Sequence, residues 1–162
     1  MVWQNDGTGL AFDPAVASWR VLPPLDVPLG PDGPFSLAAT AGGELAVLAA
    51  DPVTGQGRLA LLGDDGWRWD AETLPLPVGD ETTLASAGDW LVVLSPVGSP
   101  AVYHVPSGRW DQDADGPAVQ APNTVWTEDQ LVVWGGVDPG LTSAAVGSDG
   151  TTDMVWTPPV AG

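Results

Sequence analysis

Three acidic residues of the hexapeptide DQDADG have the spacing of a calcium loop. Asp111, Asp113 and Asp115 occupy the first, third and fifth positions of the pattern D-x-D-x-D-G. That spacing directs three carboxylates at one point, and glycine at the sixth position permits the sharp turn that follows. The pattern then breaks, because Val119 and Pro122 stand where the closing ligands would be. The motif predicts a weak calcium site, and the alternative is a solvated acidic link between two strands.

His104 and Tyr103 are the single imidazole and the single phenol of the chain, and cysteine is absent. A lone histidine at the end of an apolar strand is typical of a structural residue. Nucleophilic catalysis needs a serine or cysteine beside a base, and the sequence has neither a G-x-S-x-G turn nor a thiol. It has no glycine-rich phosphate loop either. We therefore predict no catalytic residue, and no cofactor other than the calcium ion.

Three of the four basic residues stand next to tryptophans. Arg20, Arg68 and Arg109 each neighbour a tryptophan in a segment that the repeat pattern assigns to an outer strand. Arginines that converge on a substrate carboxylate would have to lie near the inner strands, so these three cannot form such a site. We interpret each as an arginine whose stem covers an indole ring, with cation–π contact.

The charge of the chain limits its partners. Its net charge is −17, and a surface of that sign repels phosphate, which predicts no nucleic acid and no membrane as partner. Many aspartates adjoin glycine or proline, where they favour turns. The chain as written has no signal peptide and no apolar run of the ~20 residues that a membrane helix needs. It would be cytoplasmic by default, and extracellular if residues precede it.

A module of about 45 residues recurs four times, and in each copy a tryptophan follows a short polar turn. Trp19, Trp67, Trp110 and Trp156 are spaced by 48, 43 and 46 residues. An apolar run precedes each, and glycine and proline separate the runs. Four short strands per module at this period predict an all-β fold, a β-propeller of about four blades with four antiparallel strands each.

The blades are predicted over residues 1–24, 35–75, 81–116 and 122–159, as a single domain. Strand A, nearest the central channel, is missing from the first blade. The predicted strands B to D of the first blade are Met1–Gln4, Gly9–Phe12 and Ser18–Leu22. Strands A to D are predicted at Phe35–Thr40, Glu44–Ala50, Arg58–Leu62 and Trp67–Thr73 in the second blade, and at Thr82–Ala87, Trp90–Ser95, Ala101–Val105 and Arg109–Asp113 in the third. In the fourth blade they are predicted at Asn123–Thr127, Gln130–Trp134, Ser143–Gly147 and Asp153–Thr157.

The nine tryptophans divide into two groups. The four that recur once per blade are predicted to pack between blades. Of the others, Trp126 lies nearest the predicted channel, and we expect it to be the most exposed.

The blades resemble the kelch-like propellers of the galactose-oxidase type. The likeness lies in VWTEDQLVVWGG, which ends in the pair Gly135–Gly136, and in AFDPAVASWRVLPP, residues 11–24. The resemblance implies a propeller that serves as a binding scaffold. The copper-radical chemistry of the oxidase needs paired histidines, two tyrosines and a cysteine crosslink, and this chain cannot supply them. Asp64, Gly66 and Trp69 also fit part of the Asp-box turn of sialidase-type propellers, which is a structural motif.

These observations predict a non-catalytic binding or scaffold module for a protein or carbohydrate ligand. The loops at 51–57 and 135–143 are the longest between strands B and C, and they are candidate binding loops. The alternative is a fragment of a larger secreted carbohydrate-related enzyme or binding protein whose active residues lie elsewhere. The expected assembly is a segment of a longer propeller, a compact four-bladed ring, or a homodimer formed through the unpaired strand edge of the first blade.

Overall fold

The computed structural model describes residues 1–4, 7–27, 29–30, 33–34, 36–112, 120, 122–136 and 154–157. All regular elements in these residues are β-strands, which confirms the all-β prediction. The described residues contain no helix long and apolar enough to span a membrane. The strands are β1 (Val2–Trp3), β2 (Gly9–Asp13), β3 (Ser18–Val21), β4 (Leu29–Gly30), β5 (Gly33–Pro34), β6 (Ser36–Ala41), β7 (Glu44–Ala50), β8 (Gln56–Gly63), β9 (Gly66–Pro77), β10 (Thr83–Ala87), β11 (Trp90–Leu94), β12 (Ala101–His104), β13 (Arg109–Gln112), β14 (Asn123–Thr127), β15 (Gln130–Trp134) and β16 (Met154–Trp156).

The second and third sheets are four-stranded antiparallel meanders. They have the strand orders β6-β7-β8-β9 and β10-β11-β12-β13, as the repeat predicts. Tight turns join the first two strands of each sheet, and Gly42 and Gly88 adopt positive φ angles of 56° and 66° there. Glycine suits these positions because a β-carbon is unfavourable in the left-handed region. Strand β9 runs to Pro77, four residues beyond its predicted end, and its pairing with β8 contains register shifts.

The first sheet has three strands in the described residues, in the order β1-β2-β3. They correspond to the strands predicted as B, C and D of the first blade. The turn between β2 and β3 is closed by Asp13, whose Oδ1 accepts a hydrogen bond from the backbone N–H of Ala15 at 2.9 Å. A separate two-stranded ladder, β4-β5, lies between the first and second sheets in the sequence.

The fourth sheet corrects one prediction. Strand β16 pairs directly with β15, and Leu131 is opposite Trp156. In the third sheet, Leu91 is opposite Tyr103 in the same way. The segment predicted as strand D is therefore third in its sheet, and Trp156 has the register position of Tyr103 and not that of Trp110. The predicted strand at 143–147 lies outside the described residues.

Apolar side chains join the sheets face to face in chain order. Buried clusters lie between the second and third and between the third and fourth sheets. A further cluster packs Leu25 and Val27, which follow β3, against the second sheet, with Trp3 of the first sheet partly buried beside it. Two indole N–H groups also tie the start of the chain to the second sheet: Trp3 donates to Ser36 Oγ at 2.9 Å, and Trp67 donates to the Pro23 carbonyl at 2.7 Å. The principal buried residues are Leu59, Leu61, Leu91 and Tyr103 between the second and third sheets, and Val92, Leu94, Val102, Leu131 and Val133 between the third and fourth. On the second sheet, Val47 and Ala60 are buried in the cluster that contains Leu25.

The first strands of consecutive sheets are neighbours. Strand β10 lies beside both β6 and β14. Ser86 Oγ donates a hydrogen bond to the Thr40 carbonyl, and the Gly42 N–H donates to the Gly88 carbonyl at 2.9 Å. The second and third sheets are therefore held together by polar contacts along this edge as well as by their apolar faces.

The tryptophans agree only partly with their predicted roles. Trp67 and Trp110 are half-buried between sheets, where they contact Trp3 and Tyr103. Trp19 is 55% exposed, so its prediction as a packed residue is wrong. The physical reason is that no sheet of the described residues covers its side of the first sheet. For Trp156 only the backbone position is described.

The prediction that Trp126 would be the most exposed tryptophan is also wrong. Its side chain is half-buried against the cluster between the third and fourth sheets. On the same sheet Trp134 is 41% exposed, because its side chain is on the opposite face. Alternation along β14 and β15 decides which of the two indoles meets the third sheet.

Candidate functional site

Three sheets repeat one cross-strand pair. Within each of the first three sheets, a residue near the end of one strand lies opposite the tryptophan of the next strand. The pair is on the face directed toward the preceding sheet in the second and third sheets, and on the free face in the first sheet. The pairs are Phe12–Trp19, Leu62–Trp67 and Tyr103–Trp110.

This equivalence explains why a groove opens between the first and second sheets. At the second-to-third contact, Leu61 meets Tyr103, and both are buried. The equivalent positions at the first-to-second contact are Ala11 and Leu62, whose side chains are smaller. Two sheets that share the same spacing therefore leave space where the smaller pair lies.

The groove has a volume of about 850 Å³. This is within the range of small-ligand and peptide pockets, ~300–1,000 Å³. Its lining combines apolar residues with three charged ones; among the apolar residues are Ala11, Phe12, Leu45 and Leu62, and the charged ones are Arg20, Glu44 and Asp64.

An ion pair lies at the rim of the groove. Arg68 Nη2 is 3.1 Å from Glu44 Oε2, and both side chains are partly exposed. Pairs of this kind contribute only about 0–1 kcal/mol to stability. The pair therefore adds little to the stability of the fold, and Asp64 adds a second carboxylate to the lining.

The arginines only partly follow their predicted packing. Arg20, Arg68 and Arg109 are exposed on β3, β9 and β13, and none of them is in the cation–π contact found among the described residues. The cation–π contact that the structure gives instead belongs to Arg58, whose guanidinium carbon lies 4.8 Å from the centre of the Trp69 ring. Arg58 is on β8 and Trp69 on the adjacent β9, so the contact crosses between strands within one sheet.

His104 has local partners in the turn between β12 and β13. Its Nδ1 is 2.9 Å from Ser107 Oγ, and its ring lies on Trp90 at 4.4 Å between centres. A serine–histidine nucleophile also needs a group that orients the imidazole and donors for an oxyanion. In the described part of the chain, no carboxylate is found to accept a hydrogen bond from this ring. Ser107 and His104 are three residues apart in one exposed turn, and their contact stabilises that turn.

A buried polar group lies between the second and third sheets. Tyr103 is 1% exposed, and burial of its hydroxyl raises its pKa above the ordinary value of 10, with the nearby Asp70 carboxylate adding to the effect. Asp70 Oδ2 and Trp110 Nε1 are buried without a hydrogen-bond partner among the described residues. The sequence analysis did not find this cluster, although Tyr103 was distinctive as the single tyrosine.

The predicted calcium ligands are only partly described. Asp111 is on β13, and its side chain is exposed. Asp113 and Asp115 lie outside the described residues. No group of three acidic or histidine side chains placed to hold a metal ion occurs in the portion that the structure describes. The calcium site stays a prediction from the motif.

One of the two predicted binding loops is pre-formed. Asp51 Oδ1 accepts hydrogen bonds from the backbone N–H of Thr54 at 2.9 Å and of Val53 at 3.0 Å, and from Thr54 Oγ1 at 3.0 Å. These bonds, that of the Thr54 N–H first, lower the pKa of Asp51. This loop joins β7 to β8, at the end of the second sheet opposite the Glu44 and Asp64 turns. Most of the other loop, from residue 137 onward, lies outside the described residues.

Comparison with known proteins adds no assignment. No model of a known protein family matches the chain, and no curated protein matches it significantly. The likeness to kelch-type repeats therefore depends on the quoted residues alone.

Proposed function

We propose that the chain is a non-catalytic binding module, and that it binds its ligand in the groove between the first and second sheets. The observation that carries the proposal is the groove itself, about 850 Å³ in volume, whose lining combines apolar side chains with three charged ones. In such a combination the apolar side chains provide affinity and the charged groups fix the orientation of the ligand.

We also propose that the sheets are successive blades of a propeller-type arrangement. Three features support this reading: each sheet packs on the next in chain order, β6, β10 and β14 are neighbours, and the cross-strand pairs recur in register. A binding site between two adjacent blades then has walls that belong to rigid elements.

The chemistry of the lining favours a peptide segment of a protein as the ligand. Leu45 and Leu62 offer an apolar surface, and Glu44 and Asp64 offer carboxylates. With a net charge of −17 on the whole chain, the field around the groove attracts cations. A short peptide that carries both leucine-like and basic side chains fits these properties.

A groove-filling substitution tests the proposal. Leu62→Tyr places at this position the residue type that the equivalent site, Tyr103, already has. The larger side chain occupies part of the groove, so we expect binding to weaken at least about tenfold with the fold retained. The measurement is selection of a displayed random-peptide library on the wild-type chain, followed by calorimetric titration of the enriched peptides into both proteins.

Val97→Tyr is the matched control, because Val97 is 53% exposed, lies outside the groove lining and is in neither of the candidate binding loops. This variant should bind as the wild type does. Selection of no peptide, or peptides that bind Leu62→Tyr equally well, would contradict the proposal. Binding or turnover on a glycan array by the wild-type chain would favour the carbohydrate-related alternative instead.

A further inference from the structure

We propose that two copies of this chain associate head to tail, through the free face of the first sheet and the free face of the fourth sheet. The inference concerns faces of sheets and not the strand edge considered in the sequence analysis. Of the residues on the two faces only Phe12 also borders the groove, and the two valines substituted below lie outside its lining, so association can be measured separately from groove binding.

The free face of the first sheet, which we call the leading face, is apolar across three strands. The strand register places the side chains of this face in two adjacent rows. One row crosses β1, β2 and β3, and the other crosses β2 and β3. All are large hydrophobic side chains with exposures between 39% and 77%: Val2, Leu10 and Val21, and Phe12 and Trp19.

The free face of the fourth sheet, which we call the trailing face, has the same character. Val125, Val132 and Val155 form one row across its three strands, and Trp134 stands two residues beyond Val132 on β15. Three of these four are between 41% and 58% exposed.

Each free face repeats a surface that is buried within the chain. Phe12 and Trp19 have the register positions of Tyr103 and Trp110, which the second sheet covers. The trailing face repeats the surface of the third sheet that the fourth sheet covers, and the equivalent pairs are Val125–Ala85, Val132–Val92, Trp134–Leu94 and Val155–Val102.

The two faces are therefore the two halves of the sheet-to-sheet contact that buries side chains between the second and third and between the third and fourth sheets. They lie at opposite ends of the series of sheets, so each can be covered by the other face of a second copy. A head-to-tail contact of this kind closes when two copies each contribute both faces. Exposed apolar area on this scale is costly in water, and its burial drives association.

Three valine-to-aspartate variants test the inference. Val21→Asp alters the leading face, Val155→Asp the trailing face, and Val53→Asp an exposed loop position as control; these valines are 77%, 58% and 90% exposed. Each substitution adds the same charge to an exposed site, so the monomer should fold in each case, as circular dichroism will verify. The readout is sedimentation velocity over a wide concentration range at about 0.15 M salt, because the charge of each copy opposes association at low ionic strength.

We expect two-chain species for the wild type and Val53→Asp, and dissociation at least about tenfold easier for Val21→Asp and Val155→Asp, because a carboxylate would be buried unpaired. A mixture of Val21→Asp and Val155→Asp should contain more two-chain species than either variant alone, since it retains one intact contact. A wild type that stays a single chain would overturn the inference. A Val155→Asp variant that associates as the wild type does would also overturn it, because that result would mean that two leading faces pair. A mixture with no more two-chain species than the separate variants would overturn it as well.

Discussion

Tyr103 connects a single side chain to the stability of the whole fold. It is fully enclosed between the second and third sheets, and both burial and the Asp70 carboxylate disfavour its ionised form. Since the chain has one tyrosine, the absorbance of tyrosinate reports this residue alone.

The raised pKa of Tyr103 predicts loss of stability at alkaline pH. The folded pKa lies above the unfolded value of 10, so the stabilisation is fully present below that pH and falls as the unfolded state loses its proton. The free energy of unfolding should decrease by up to about 1.4 kcal/mol per pH unit above pH 10. Denaturant titrations at a series of pH values measure this slope, with tyrosinate absorbance followed in parallel.

Tyr103→Phe is the control for this effect, because it keeps the ring and removes the titrating group. The excess slope should vanish in this variant. A wild type whose tyrosinate absorbance rises at the ordinary pH while the protein stays folded would contradict the account of Tyr103.

At the scale of the elements, two valines at equivalent positions should respond differently to truncation. Val102 is 2% exposed between the third and fourth sheets, and Val155, its counterpart on the free face, is 58% exposed. Val102→Ala should lower the free energy of unfolding by about 2 kcal/mol through lost burial and a residual cavity. Val155→Ala should change it by no more than about 0.5 kcal/mol. Urea titrations of dilute protein, where association is negligible, measure both; equal costs would contradict the stacking order.

Most strands could be predicted from the sequence because their signals are local. The run Glu44–Ala50 is apolar and bounded by Gly42–Gly43, and β14 and β15 flank a short polar turn. The partner of β16 could not be predicted in the same way. An apolar segment shows that a strand is present, but which strand it pairs with depends on contacts distant in sequence.

The groove and the exposure of Trp19 were beyond local patterns for a related reason. The groove results from Ala11 and Leu62 lying at positions where another sheet contact has Leu61 and Tyr103. That comparison requires the register of four strands at once. Trp19 has the local sequence context of a packed tryptophan, and its exposure is decided by whether another sheet covers it.

At the scale of the whole molecule, one contact mode accounts for several observations. The same sheet-to-sheet packing fills the interior between the second and fourth sheets, leaves a groove where its side chains are small, and leaves two apolar faces uncovered at the ends. The groove and the two uncovered end faces are therefore the places where the molecule departs from one repeated contact.

The central claim is that successive sheets stack face to face, and nuclear Overhauser effects from Tyr103 test it most directly. In a sample with labelled tyrosine and labelled leucine methyl groups, the Tyr103 ring should show cross-peaks to Leu59 and Leu61 of the second sheet, with which it shares a buried cluster. It should also show a cross-peak to Leu91 of its own sheet. Cross-peaks confined to Leu91, with none to the second sheet, would contradict the stacking and, with it, the proposed groove and end faces.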